Sequence, residues 1–250
     1  MKVIINGAFG RMGKAVAASL KDKGLGTVVY GADIAAGTAD FPVGASLAEF
    51  VGEADVVIDF SHHTQTAAVC AFAVERGIPT VIATTGQTEE EKAIIAESAK
   101  KVPLFLSANM SVGVALLCKL CAEATTVLGR DADIEITEKH HNKKLDAPSG
   151  TALMIADSIK AVREDSRYVY DRQSVRAARS KEEIGIQSIR AGNIVGEHEV
   201  LFALGNEHIT ISHSALSREL FADGAVRAAA FLKGKEAGLY GMKELLAEIL

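Results

Sequence analysis

Residues 138–151 read Glu-Lys-His-His-Asn-Lys-Lys-Leu-Asp-Ala-Pro-Ser-Gly-Thr, two histidines and three lysines just before a helix-start signal. A histidine titrates near neutrality and can hand a proton to carbon or nitrogen, which makes His140 and His141 candidate acids. Lys144 offers a point charge for a carboxylate. Ser149 reads as the N-cap of a helix over 151–163. The amides of Ser149, Gly150 and Thr151 would then face an anion, with glycine permitting close approach. The segment has the parts to hold a dianionic small molecule and protonate it. Two blander readings compete. One is a solvated basic loop. The other is a Ser149–Lys144 nucleophile pair, disfavoured because Ser-Gly-Thr reads better as a helix cap. A metal site is not expected: His62-His63 and His140-His141 are adjacent pairs, whose side chains point to opposite sides of an extended chain, and no zinc-type Cys/His spacing accompanies them.

A second constellation lies at the N-terminus. Gly7, Gly10 and Gly13 follow a short apolar strand and open a helix. Such a turn lets backbone amides and a helix N-terminus approach a pyrophosphate. The G-x-x-G-x-x-G spacing is a variant of the usual dinucleotide fingerprint. Asp33 ends the second strand, where a carboxylate accepts hydrogen bonds from a ribose 2′-OH and repels a 2′-phosphate. Ile34 follows in place of an arginine, so NADH is expected to be preferred, with NADPH use possible through nearby Arg11 and Lys14. Phe60-Ser61-His62, Ala83-Thr84-Thr85-Gly86 and Ala108-Asn109-Met110-Ser111 sit at the carboxyl ends of further strands, the ligand side of an open α/β sheet.

The elements that must position these residues change character along the chain. Over the first 110 residues strands (3–6, 27–32, 55–60, 80–83, 104–107) alternate with helices (11–23, 47–52, 65–76, 88–101), implying βαβ units and a parallel sheet. Beyond a long helix at 112–128, strands at 133–138, 184–190, 196–204 and 207–214 run nearly consecutively, which is α+β character. Helices return at 224–233 and 242–250, and 163–181 reads as a polar excursion. The expected fold class is α/β: a doubly wound Rossmann-type nucleotide domain, residues 1–111 and 217–250, plus an α+β substrate and oligomerisation domain with a mixed sheet, residues 112–216. In that layout residues 138–151 would face the nicotinamide across a cleft.

The formal net charge of −5 over 250 residues gives no bulk attraction to nucleic acid or an anionic membrane. No apolar run reaches the roughly 18 residues of a membrane span, and the N-terminus reads as a strand rather than a signal peptide. The expected location is cytoplasmic. Cys118-x-x-Cys121 lies in an apolar helical pattern, so it and Cys70 read as reduced core thiols.

The chain resembles the 4-hydroxy-tetrahydrodipicolinate reductase family, formerly called dihydrodipicolinate reductase. The likeness rests on Gly7-x-x-Gly10-Arg11-Met12-Gly13 and on Glu138-x-His140-His141-x-x-Lys144-x-Asp146-Ala147-Pro148-Ser149-Gly150-Thr151-Ala152. Asp59-Phe60-Ser61, Thr84-Thr85-Gly86, Ala108–Gly113, Arg190-Ala191-Gly192-x-x-x-Gly196-Glu197-His198 and Ser217-Arg218-x-x-Phe221-Ala222-x-Gly224-Ala225 follow in the family's order. The resemblance implies NAD(P)H-dependent reduction of a cyclic dicarboxylate, 4-hydroxy-tetrahydrodipicolinate, to tetrahydrodipicolinate in lysine biosynthesis via diaminopimelate. It makes His140 the proton donor and Lys144 the other catalytic residue. His141, Lys144, Ser149, Gly150 and Thr151 match the dicarboxylate-binding positions. Cofactor contacts map to Gly7, Ala8, Phe9, Gly10, Arg11, Met12, Asp33, Ala83, Thr84, Thr85, Ser107, Ala108, Asn109 and Met110. A homotetramer assembled through the second domain's sheet is implied. Departures are Ala83, where glycine is common, and His62, where some relatives carry arginine. The rivals are another two-domain dehydrogenase, which would lack the dicarboxylate motif, and a non-catalytic nucleotide sensor, which would need neither His140 nor Lys144.

Overall fold

The computed structural model describes residues 1–249 and divides into two compact units: Met1–Val112 with the chain from Glu219 onward, and Gly113–Arg218. The first begins with β1 (Lys2–Asn6), α1 (Arg11–Asp22), β2 (Thr27–Ala32), β3 (Val43–Gly44), a single 3₁₀ turn at Leu47–Glu49, β4 (Val56–Asp59), α2 (Thr66–Arg76), β5 (Thr80–Ile82), α3 (Glu89–Ala99) and β6 (Pro103–Leu106). The second unit holds α4 (Val112–Leu128, whose first residue falls in the first unit), β7 (Asp133–His140), α5 (Gly150–Lys160), β8 (Arg167–Val169), β9 (Glu183–Arg190), β10 (Gly196–Ala203) and β11 (His208–Ala215). The chain then returns to the first unit with α6 (Glu219–Leu232), β12 (Gly238–Tyr240) and α7 (Met242–Ile249). Position 250 of the expected last helix lies outside the described residues.

In the first unit seven strands pair in parallel in the order β12-β6-β5-β4-β1-β2-β3. Helices cover both faces, which is why β4 reads as an unbroken apolar run: Val56, Val57 and Ile58 are all buried. Val16 and Leu20 of α1 pack with Ala225, Val226 and Ala229 of α6 on one face. Val69 and Phe72 of α2, and Ile95 of α3, fill the other. Helix ends follow local chemistry. Thr88 and Glu91 form a reciprocal capping box at α3, and Gly77, at φ 62°, stops α2 in the left-handed region. The strand order reverses between β1 and β4, so a crevice opens at their carboxyl ends.

The second unit is a mixed sheet, β11-β10-β7-β9-β8, with β7–β9 and β8–β9 parallel and the other pairs antiparallel. Strand β7 alternates strictly, so Ile134, Ile136, Glu138 and His140 all point to the buried face. Ile134 and Ile136 meet Ile184, Ile186, Val200 and Phe202 from neighbouring strands, and Ile155 and Ile159 from α5. Full burial of each such side chain contributes about 1.5–3 kcal/mol. The strand runs two residues past its expected end because it stays paired with β9 as far as His140 opposite Arg190. His140 is therefore a strand residue.

The other differences are local. The helix expected over 47–52 is only the 3₁₀ turn, and the short strands β3, β8 and β12 were not expected. Residues 163–181 include β8 and carry Arg172 and Arg179, which pair with Glu135, Glu183 and Asp133. The thiols are unpaired; burial pushes Cys118 up to about 11 and Cys121 up to about 12. No helix among the described residues is long and apolar enough to cross a membrane.

One close approach fixes the end of β6. A Cβ on Gly224 of α6 would lie 1.7 Å from the Met110 carbonyl oxygen. Gly224→Ala is expected to cost about 1–3 kcal/mol or more by overpacking, measured as a lowered unfolding midpoint in denaturant. An unchanged midpoint would show that this contact does not constrain the 107–110 turn.

Candidate active site

The first cluster lies at the carboxyl ends of the parallel strands. Gly7 adopts φ 83°, and a Cβ there would sit 2.8 Å from the Phe60 carbonyl oxygen, so only glycine lets the β1 and β4 ends approach this closely. The turn's own amides are already used. Gly7 and Ala8 donate to Ala32 O at 2.8 and 3.2 Å, Gly10 donates to Gly7 O at 3.1 Å, and Phe9 donates to Asp33 Oδ2 at 2.8 Å. The anion cradle is instead the first turn of α1. Helix geometry leaves the Arg11, Met12 and Gly13 amides with no intrahelical carbonyl, and Gly10 has no side chain to cap them. This donor set suits a pyrophosphate.

A cavity of about 730 Å³ opens beside it, with Gly7, Gly10, Asp33, Ile34, Ser61 and His62 in its wall. Asp33 also accepts from Ala35 N at 2.8 Å, so its carboxylate closes the turn while keeping acceptor capacity for a ribose hydroxyl. Arg76, the cation in the wall, is committed to the Phe50 and Gly52 carbonyls at 3.2 and 2.7 Å. Ala8 is buried, and its methyl packs at Gly31. Phe9, Arg11 and Met12 do not line this cavity, nor do Ala83, Thr84, Thr85 and Ser107, Ala108, Asn109, Met110. The latter two groups occupy the ends of β5 and β6. Thr84 is buried and held by Gln87 at 2.8 Å, while Ser107 donates to the Asn109 carbonyl at 2.7 Å.

Beneath the glycine turn, buried Asp59 accepts from Asn6 Nδ2 at 2.9 Å and from Ser61 Oγ at 2.6 Å. Its second oxygen has no hydrogen-bond partner. Burial raises this carboxyl above its ordinary value, although the Ser61 and Asn6 bonds oppose the shift.

The second cluster is in the second unit, at the end of β7. Glu138 is fully buried, and its carboxylate makes four contacts. His140 Nδ1 lies 2.6 Å from Oε2, Arg190 donates to both oxygens at 2.8 Å, and the Ser149 amide donates to Oε1 at 3.1 Å. Burial alone would push this carboxyl up. The Arg190 fork, then His140 and Ser188, outweigh burial and hold it down at about 2. The Ser149 amide is therefore occupied by an internal anion, contrary to the expectation that it faces a ligand. Its hydroxyl does cap α5, accepting from Ala152 N at 3.2 Å, and also meets His198 Nε2 at 3.1 Å. Gly150 is exposed and Thr151 half-buried at the start of α5.

Lys144 Nζ lies 2.8 Å from Asp146, whose carbonyl accepts from Arg190 at 2.6 Å. His141 is half-buried, with Arg218 3.4 Å from its Nε2. Desolvation, then the charges of Arg218, His140, Lys144 and Arg190, lower the His141 pKa. His141, Asn142, Lys143, Asn193 and Arg218 line an open basic depression. The structure thus brings His140, His141, Lys144 and Ser149 together, and adds Glu138, Arg190, His198 and Arg218. Sequence reasoning left Arg190, His198 and Arg218 unassigned. Their one signal was position in the Arg-Ala-Gly, Gly-Glu-His and Ser-Arg strings that carry the family resemblance. No group of three or more metal-ligating side chains occurs among the described residues.

A doubly wound parallel sheet with an anion cradle at its switch point, in a chain whose second unit carries a buried histidine–carboxylate pair one residue from a basic depression, defines a Rossmann-type oxidoreductase. The chain belongs to the dihydrodipicolinate reductase family: residues 1–110 match the family's N-terminal model and residues 113–246 its C-terminal model. It is 52% identical to the 4-hydroxy-tetrahydrodipicolinate reductase of Caldanaerobacter subterraneus subsp. tengcongensis, covering 98% of both chains. Identity to the Clostridium tetani protein of that name is 43%, over 98% of this chain and 97% of the other. The fold matches a dipicolinate-bound dihydrodipicolinate reductase from Paenisporosarcina sp. TG-14 with a TM-score of 0.84 at 24% identity, covering 98% of both chains. Family and fold together imply a nicotinamide cofactor.

Two buried groups, His198 and Glu138, make the stability fall in acid. His198 is lowered to about 4, by burial first and the charge of His140 next. An unfolded histidine near 6.5 takes up a proton that the folded one refuses, so stability falls as pH drops from about 6.5 towards 4. Glu138 adds a second loss below its unfolded value of 4.5, as pH falls towards about 2. Thermal melts across these buffers should show both limbs, and His198→Gln should flatten the upper one. A flat midpoint in the unaltered protein between pH 7 and 4 would contradict this.

Proposed function

We propose that this protein catalyses the NAD(P)H-dependent reduction of 4-hydroxy-tetrahydrodipicolinate to tetrahydrodipicolinate, in lysine biosynthesis via diaminopimelate. The single observation that carries the reading is His140 set against a buried carboxylate, one residue from a basic depression and beside the α5 start. The substrate's hydroxyl leaves as water together with a proton from the adjacent ring carbon; the resulting double bond then takes up hydride at one carbon and a proton at its neighbour. The reduced nicotinamide, when bound, supplies the hydride. Arg11, Met12 and Gly13 amides receive its pyrophosphate, and Asp33 receives its adenosine ribose. The remaining mapped cofactor contacts are Gly7, Ala8, Phe9, Gly10, Ala83, Thr84, Thr85, Ser107, Ala108, Asn109 and Met110. NADH is the preferred form, because Arg76, the one Lys or Arg in the cavity wall among the described residues, is already committed.

His140 is the acid that protonates the ring carbon. Lys144 leaves Asp146 for a substrate carboxylate, a like-for-like exchange of anions that keeps its charge paired. His141, Ser149, Gly150 and Thr151 complete the dicarboxylate site, with Arg218 joining through its place beside His141. Ser149 acts through its hydroxyl and its cap on α5, since its amide is engaged. Residues 1–111 and 217–250 serve the cofactor, and 112–216 serve substrate binding and assembly. A homotetramer fits the long edge strand β11, which pairs on one side only. The working compartment is the cytoplasm.

The test is steady-state oxidation of NADH and of NADPH with freshly generated synthase product as substrate. Turnover is expected, with a higher kcat/KM for NADH. His140→Gln should lower kcat by about 10²–10⁴-fold. No cofactor oxidation with this dicarboxylate would overturn the reading, and near-normal turnover in His140→Gln would remove His140 as the acid.

A further inference from the structure

Glu138 is the most confined charge in the second unit, and its position on β7 is unusual. The strand's buried face runs Ile134, Ile136, Glu138, His140, so a carboxylate occupies a place its pattern reserves for an apolar side chain. A buried carboxylate stays ionised only when paired and fully hydrogen-bonded. Arg190 supplies a two-pronged bond at 2.8 Å to each oxygen, and the Ser149 amide a third donor. With Arg190 and the Ser149 amide in place, and Ser188 adding a weaker bond, Oε2 also holds His140 Nδ1 at 2.6 Å.

The rest of the ring's surroundings agree. His198 packs edge-on against His140 with centroids 5.3 Å apart. On β10, a Cβ at Gly196 would crowd His140 Nε2 at 3.0 Å, so glycine keeps a side chain off that nitrogen. One ring nitrogen is bound to the Glu138 carboxylate, and the other has glycine rather than a side chain beside it on β10.

We propose that Glu138, locked by Arg190, is a positioning residue for His140: it keeps the proton of the neutral ring on Nδ1, and makes Nε2 the atom that delivers the proton to substrate. The imidazolium then carries a proton on each nitrogen. The Nε2 proton goes to the ring carbon, and the neutral ring is left in the Nδ1–H form that Glu138 accepts. Solvent reprotonates Nε2 for the next turnover. This rests on the reading of His140 as the acid. Arg190 does not touch the imidazole; it acts by holding the carboxylate.

Glu138→Gln keeps the size and removes the charge. The Ser149 amide and one arm of Arg190 require an oxygen at the Oε1 position, so the glutamine turns its NH₂ to the Oε2 position, towards His140 Nδ1 and against the other Arg190 arm. That amide donates where the carboxylate accepted, and reverses the preferred tautomer, as an amide replacement does in a serine protease triad. Two readouts follow. Nitrogen-15 NMR of the histidine rings, with His140 assigned by comparison with His140→Gln, should show the neutral ring protonated at Nδ1 in the unaltered protein and at Nε2 in Glu138→Gln. Turnover should fall on the order of 10²-fold or more, with the cofactor KM unchanged.

The groups facing the ring are Glu138 on β7, Arg190 on β9, His198 on β10, and His141 and Lys144 in the following loop. All but Glu138 are unchanged in the variant. Arg190→Lys replaces the fork by a single point charge and should recover part of what Arg190→Met loses.

If His140→Gln collapses turnover while Glu138→Gln retains it, the positioning role is wrong and the acid assignment stands. If His140→Gln retains turnover, the acid assignment fails, whatever the NMR shows, and the proposal falls with it. Should Glu138→Gln not fold, the tautomer in Arg190→Lys decides: an Nδ1–H ring in a variant that keeps the carboxylate supports the proposal, and an Nε2–H ring overturns it.

Discussion

Burial of the Glu138 carboxylate is the constraint on which the second unit depends. Taking an isolated carboxylate out of water costs far more than one domain's stability can absorb, so it must be matched donor for donor. Those donors come from four places along the chain: Arg190 from β9, His140 from Glu138's own strand β7, Ser149 from the start of α5, and, more weakly, Ser188. Each bond also fixes something the site needs. The Arg190 fork holds the end of β9 against β7 and reaches the Asp146 carbonyl, tying down the loop that carries Lys144. The Ser149 bond sets where α5 begins. Losing one partner would leave an unmatched buried charge, so the network is held as a whole.

The first unit solves a different problem with backbone rather than charge. Its cradle needs close strand ends and an open helix N-terminus, and Gly7 and Gly10 provide both. The Asp59–Asn6–Ser61 cluster lies directly beneath, joining the ends of β1 and β4 where the strand order turns. Asp59 resembles Glu138 in burial but has no cation, and its shift has the opposite sign. Two buried carboxylates in one chain thus stay in place by different means: one through a guanidinium fork, the other through neutral donors that only partly offset desolvation.

The fold was legible wherever periodicity and turn chemistry are local. The alternation through Ile134 and Ile136, the all-buried β4, the Gly77 stop and the Thr88 cap can each be read from a few neighbouring residues. The short strands β3, β8 and β12 could not, since two or three residues carry no period and owe their state to a neighbouring strand. The end of β7 was placed two residues early for the same reason: pairing with β9 overrides the polar local sequence. In the site, His140, Lys144 and Ser149 stood out because they share one segment. Glu138 was visible but had no evident role. Arg190 and His198 reach it only through sheet register, Arg190 opposite His140 and His198 opposite Glu138. The engagement of the Ser149 amide by Glu138 was equally hidden, as a contact between positions 11 residues apart.

In the proposed function, the end of β7 and the start of α5 form a site for a cyclic dicarboxylate with Lys144 as a charged anchor. The most direct measurement is calorimetric titration of dipicolinate into the full chain at saturating NADH, compared with Lys144→Ala. The account predicts one site per chain in the unaltered protein. Affinity should be weakened about 10–100-fold in the variant, the scale of one charge-assisted hydrogen bond. Equal affinity in the two proteins, or no binding to the unaltered chain, would contradict it.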